Sequence, residues 1–172
     1  LTVSLTGEVR TIAGNEKKGF QDNINGKEAR FNNPQGIAVN KEGQIYIADT
    51  LNHSIRQVSP EGSVITIAGN GKLGYREGPS LDAQFHHPTG LAIGLDGTLY
   101  IADTLNHRIR QLKSNGKVET LAGNGEIGMK EGKGENARLA EPYALALTPQ
   151  NTLYVTTAWG IQEVSLDGNV KI

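Results

Sequence analysis

Eight residues at matched offsets are the first candidates for chemistry: Asp49, Asn52, His53 and Arg56, then Asp103, Asn106, His107 and Arg110. Carboxylates held at one register could form a ring near a central channel. They could equally be structural. Each carboxylate would then accept hydrogen bonds from the turn that follows it, or from Arg56 or Arg110, and each histidine would bond backbone. Recurrence favours the structural reading, because a catalytic pair is needed once and a turn in every repeating unit.

Residues that break the recurrence are the better candidates for contacting a ligand. His86 and His87 stand where the other units have Asn32-Asn33 and Ala140-Glu141. Neighbours on an extended segment point to opposite sides, so this pair is not expected to chelate one ion. Tyr143 and Trp159 put aromatic rings where the other units have none, suited to stacking on a sugar, peptide or base. Tyr75 and Arg76 form a basic and aromatic cluster with Lys72, diluted by Glu77 and Asp82. These six residues, Tyr75, Arg76, His86, His87, Tyr143 and Trp159, are the candidate ligand contacts. The segment Asp22–Gly26 resembles a calcium loop only superficially, since Ile24 stands where an EF-hand needs an oxygen ligand and Asn33 where it needs a glutamate. No nucleophile elbow, phosphate loop or zinc-binding histidine motif is present, so no catalytic residue, metal or cofactor is assigned.

The elements that position these residues follow from an internal repeat. IADTLNHSIRQ at 47–57 and IADTLNHRIRQ at 101–111 agree at ten of eleven positions, with a period of 54. Pro34, Pro88 and Pro142 keep that spacing, and Ile12–Asn15, Ile67–Asn70 and Leu121–Asn124 keep it to within one residue. Each period holds four short apolar runs, a, b, c and d, divided by turn residues. In the second period these are 90–94, 98–103, 108–113 and 117–122. Asp96-Gly97 and Asn115-Gly116 are strong hairpin signals, because glycine accepts positive φ. Three consecutive hairpins predict a four-stranded antiparallel meander, the blade of a β-propeller. No window carries the apolar spacing of a helical solenoid. The blades are expected near 34–69, 88–123 and 142–172, with 1–13 a partial blade.

Asn52-His53-Ser54-Ile55-Arg56, Asn106-His107-Arg108-Ile109-Arg110 and the preceding Tyr-Ile-Ala-Asp-Thr segments resemble the NHL repeat family. The third unit departs, with Thr156–Gly160 replacing the usual turn, which predicts a remodelled b–c connection. The resemblance implies an all-β propeller, commonly of six blades, that mostly serves in binding. It also implies an extracellular or cell-envelope setting, through the Gly-x-x-Gly-Tyr and Ala-x-Phe elements of the loops. Lyases, lactonases and RNA-binding domains are the competing uses.

A net charge of −1 gives no general attraction to nucleic acid or to an anionic membrane, which argues against RNA. The absence of cysteine excludes disulfides and thiolate chemistry. No apolar run is long enough to span a membrane. A protein, peptide or glycan ligand is expected on the face bearing the d–a and b–c loops, where the 18-residue step from Asn70 to Pro88 is the longest kind of loop. Three blades cannot close a ring, since propellers use about four to eight. Residue 1 registers with residue 164, so the opening segment Glu8–Ala13 reads as a spare d strand. A homodimer exchanging that strand would complete a six-bladed ring.

Overall fold

The computed structural model describes residues 1–172. Blade one holds β3 (Pro34–Val39), β4 (Ile45–Asp49), β5 (Ser54–Val58) and β6 (Val64–Ala68), antiparallel in that order. Blade two is β8 (Pro88–Ile93), β9 (Leu99–Asp103), β10 (Arg108–Leu112) and β11 (Lys117–Ala122). Blade three is β13 (Leu145–Leu147), β14 (Thr152–Thr157), β15 (Gly160–Ser165) and β16 (Asn169–Lys171). Two short strands inside the d–a loops, β7 (Gly78–Pro79) and β12 (Gly132–Lys133), add a fifth strand outside β11 and β16. A hairpin of β1 (Thr2–Val3) and β2 (Val9–Arg10) precedes the blades.

The turns follow from glycine. Gly97 and Gly116 sit at φ +82° and +75°, and each amide closes its turn onto the carbonyl three residues back. Gly7, Gly43, Gly62 and Gly168 repeat this geometry, and Asn151 replaces glycine in blade three at φ 62°.

The core lies between blades, not inside any one of them. Leu99 and Ile101 pack towards Ala48, Ile55 and Ala68 of blade one. Tyr100 and Ala102, the alternate residues of the same strand, pack towards Leu153, Val155 and Val164 of blade three. Alternation sends neighbours to opposite faces and both faces are covered, so β9 is buried along its whole length. The blades meet most closely at their a strands. A Cβ on Gly36 would stand 1.8 Å from the Thr89 carbonyl, and one on Gly90 would stand 2.3 Å from the Tyr143 carbonyl.

Three expectations need correction. Val9–Arg10 pairs with Thr2–Val3 of its own chain, and β16 supplies blade three with its own d strand. The predicted strand exchange is therefore not what these segments do, because the Ser4–Gly7 turn closes a local hairpin at low entropic cost. The b–c connection of blade three is two residues shorter, since Thr157 pairs directly with Gly160 whereas Asp103 pairs with Arg108. Val3, not Leu1, is consequently the counterpart of Val164. Finally, the long d–a loops do not rise over the channel. Ser80 donates its amide to Gly116 and Arg76 bridges Gln84, so the loop runs down the outer edge of blade two and returns beneath it.

Candidate binding face

The repeated polar residues form a frame under the b–c turns. The Asp103 carboxylate accepts the His86 amide (2.8 Å), the Asn106 side chain (2.8 Å) and Arg110 Nη1 (2.8 Å). Arg110 Nη1 and Nη2 also donate to the carbonyls of Gln84 (3.2 Å) and Arg76 (2.9 Å), tying down the d–a loop. Asp49, Asn52 and Arg56 repeat the arrangement in blade one, with a second carboxylate, Asp22, 2.6 Å from Arg56. Asp49, Asp103, Arg56 and Arg110 are all fully buried. Burial pushes the Asp103 carboxyl above its ordinary value, against the pull of Arg110, Asn106 and the His86 amide. These acids are held by arginine within the blades and do not face the channel.

The two repeated histidines bridge blades. His53 Nδ1 accepts the His87 amide at 3.3 Å, and His107 Nδ1 accepts the Glu141 amide at 3.3 Å. Each donor residue lies in the left-handed region, His87 at φ 53° and Glu141 at φ 50°, and this conformation aims its amide back at the preceding blade. An accepting Nδ1 requires a neutral ring. Burial, then the neighbouring His87 and His86, lowers the pKa of His53. Burial and Arg108 do the same for His107, against Glu141.

His86 and His87 do not diverge as an extended segment would make them. The left-handed turn at His87 brings their centroids within 5.2 Å, and His87 stacks on His53 at 5.1 Å and 12°. His86 stands edge-on to His53 at 69° and tilted to His87 at 58°, and no group of three such side chains is placed to hold a metal.

At the channel mouth, equivalent residues at or just before the start of the three a strands converge. The Tyr143 hydroxyl meets the Gln35 side chain across the arc, and Thr89 Oγ1 donates to the Tyr143 carbonyl at 2.7 Å. Gln35, Gly36, Thr89, Gly90, Tyr143 and Ala144 line the shallow hollow there. Tyr143 is half exposed, and so is Trp159 at the tip of the shortened turn of blade three. Tyr75 and Arg76 lie elsewhere, on the outer rim: the Tyr75 hydroxyl meets Thr120 of β11, and Arg108 covers its ring at 3.8 Å. The six candidate contacts thus fall into a channel group, a histidine group and a rim pair. Gln35 and Thr89 were not singled out from the sequence. Their only signal is equivalence with Tyr143 at spacings of 108 and 54.

Four-stranded meanders packed face to face around a shared set of a strands define the chain as an arc of a β-propeller. Residues 31–58 and 85–112 match the family model described as NHL repeat. The chain belongs to the NHL repeat family. It is 38% identical over 132 residues to NHL repeat-containing protein 2 of Bos taurus, covering 70% of this chain and 18% of that protein. It is 38% identical over 119 residues to Protein SUPPRESSOR OF QUENCHING 1, chloroplastic, of Arabidopsis thaliana, covering 64% of this chain and 11% of that protein. The chain therefore spans less than a fifth of these curated relatives. A protein of unknown function from Bacteroides thetaiotaomicron superposes with a TM-score of 0.75 at 22% identity, over 96% of this chain and 39% of its own. Virginiamycin B lyase from Staphylococcus aureus does so with a TM-score of 0.55 at 15% identity, over 80% and 40%. Both likenesses concern the fold alone.

Proposed function

We propose that this arc is a non-catalytic binding module that seats a protein, peptide or glycan at the channel mouth of the b–c face. The convergence of Gln35, Thr89 and Tyr143 supports this reading, because it presents an exposed aromatic ring beside fixed polar groups. Trp159 adds a second exposed ring on the same face. The commitment of Asp49 and Asp103 to Arg56 and Arg110 counts against an enzyme, which would need free ligands or bases at the channel. An extracellular or envelope setting is proposed on the loop elements alone.

Peptide and glycan arrays probed with the chain test this. Retention that is lost in Tyr143→Ala and Trp159→Ala supports the site. Ligand held equally by the double variant overturns it. Stoichiometric metal in the purified protein, with turnover of a lactone, would favour the enzyme instead.

A further inference from the structure

The hollow at the channel mouth carries no charge. Ile37, Leu91 and Leu145, one from each a strand, give it an apolar floor, and Gln35, Thr89 and Tyr143 stand two residues before them. No charged side chain lines it. Glu141, two residues before Tyr143, acts on His107 instead, and Asp49 and Asp103 are buried against Arg56 and Arg110. An ion of either sign entering the hollow would lose hydration without meeting a counter-charge. That counts against acidic and basic peptides, nucleic acid and uronate sugars. The space is about 170 Å³, which suits one ring of a longer molecule.

The polar groups that remain free suit hydroxyls. The Tyr143 hydroxyl donates to the Gln35 side-chain oxygen. Gln35 Nε2 keeps two N–H groups to offer, and the Tyr143 oxygen keeps a lone pair. Neighbouring hydroxyls of a pyranose both accept and donate, so one sugar edge satisfies the pair, while its C–H face lies on the Tyr143 ring. A peptide backbone has no such neighbouring hydroxyls. The ring is also fixed in advance, because its backbone is clamped on three sides. The Tyr143 amide donates to the Thr156 carbonyl at 2.8 Å, its carbonyl accepts from Thr89 Oγ1 at 2.7 Å, and the Ala144 amide donates to Thr156 Oγ1 at 3.0 Å. Little entropy is then lost when a ligand stacks there. Trp159 lies three residues beyond Thr156, at most about 11 Å of chain. The Ala158 amide, held to the Ala140 carbonyl at 2.7 Å, keeps that turn in place.

We infer, on the reading of the channel mouth as the ligand site, that the hollow takes one ring of a neutral oligosaccharide. That ring stacks on Tyr143 and is hydrogen-bonded by Gln35, and Trp159 meets a further unit of the same glycan.

Calorimetric titration of the chain tests this with neutral hexasaccharides of glucose, mannose and N-acetylglucosamine, an oligogalacturonate of equal length, and a peptide of uncharged residues. At least one neutral hexasaccharide should bind. Tyr143→Ala should weaken it by roughly tenfold. Tyr143→Phe and Gln35→Ala should weaken it by a few-fold, and they carry the test if the denaturation midpoint of the alanine variant falls. Binding of only the oligogalacturonate or the peptide, still dependent on Tyr143, would overturn the neutral sugar and leave the site standing. Absence of Tyr143-dependent binding to every probe would overturn both.

Discussion

Blades two and three share strand order, register and apolar residues, yet they solve the same interior problem differently. Blade two fixes its d–a loop with a buried arginine neutralised by Asp103. Blade three puts Gln162 at the equivalent place, where Nε2 still reaches the Arg138 carbonyl at 3.3 Å while Oε1 has no partner. A buried guanidinium demands a carboxylate, the carboxylate organises a four-residue turn, and the turn carries the bridging histidine. Once the arginine is a neutral amide, the carboxylate and the longer turn lose their purpose together. The b–c turn is therefore the visible end of a dependency that starts in the core.

The contrast is most sharply broken at Asp103. Asp103→Ala leaves Arg110 buried and unpaired and should cost about 3–5 kcal/mol in chemical denaturation. A loss below about 1 kcal/mol would mean that Arg110 escapes to water and that the two blades are not fixed differently.

Gly90→Ala attacks the junction between the two blades. Its Cβ would stand 2.3 Å from the Tyr143 backbone, so the a strands must separate, at about 1–3 kcal/mol. Gly97→Val is milder. Open space surrounds its Cβ, so only the φ of +82° opposes it, at about 1–2 kcal/mol. Equal melting temperatures for both variants would remove the distinction between a packing glycine and a turn glycine.

Acid should loosen the histidine junctions. His53 and His107 have folded-state pKa values lowered from 6.5, so the unfolded chain binds more protons near and below that pH. Stability is full above pH 6.5 and declines as pH falls through the folded values. Replacing His53 and His107 together by glutamine should flatten this slope in melting curves taken between pH 7 and pH 5. An unchanged slope would assign the acid sensitivity to other groups.

The smallest effect is expected at Gln162→Leu, which removes a buried oxygen without a partner and should be neutral or slightly stabilising. A cost above about 2 kcal/mol would show that the amide in blade three is as necessary as the ion pair in blade two.

Much of this was legible from residue spacing. The 54-residue period, the four strands and the glycine turns were all readable, because turn chemistry and alternation are local. The structural reading of Asp49, Asp103, His53 and His107 also rested on recurrence. The histidine group departs from the extended geometry that the sequence suggests because His87 turns left-handed. Asn33 at the equivalent position was the available hint, since asparagine tolerates the left-handed region best among non-glycine residues. The outer path of the d–a loops was not legible, because it depends on carbonyls that Arg56 and Arg110 reach over distances in sequence of 26–35 residues.

That outer path has a consequence for life in a crowded solution. The last strand of blade two is two residues long and ends in Pro79, which has no amide hydrogen to offer a passing chain. In blade three the same place is taken by Gly132 and Lys133, a cation on the margin. Each blade would otherwise end in a ladder of unsatisfied groups, able to template fibres of stacked molecules. The linker that delivers the chain from one blade to the next also seals the blade it enters, so this protection against misassembly needs no residues beyond those that make the connection.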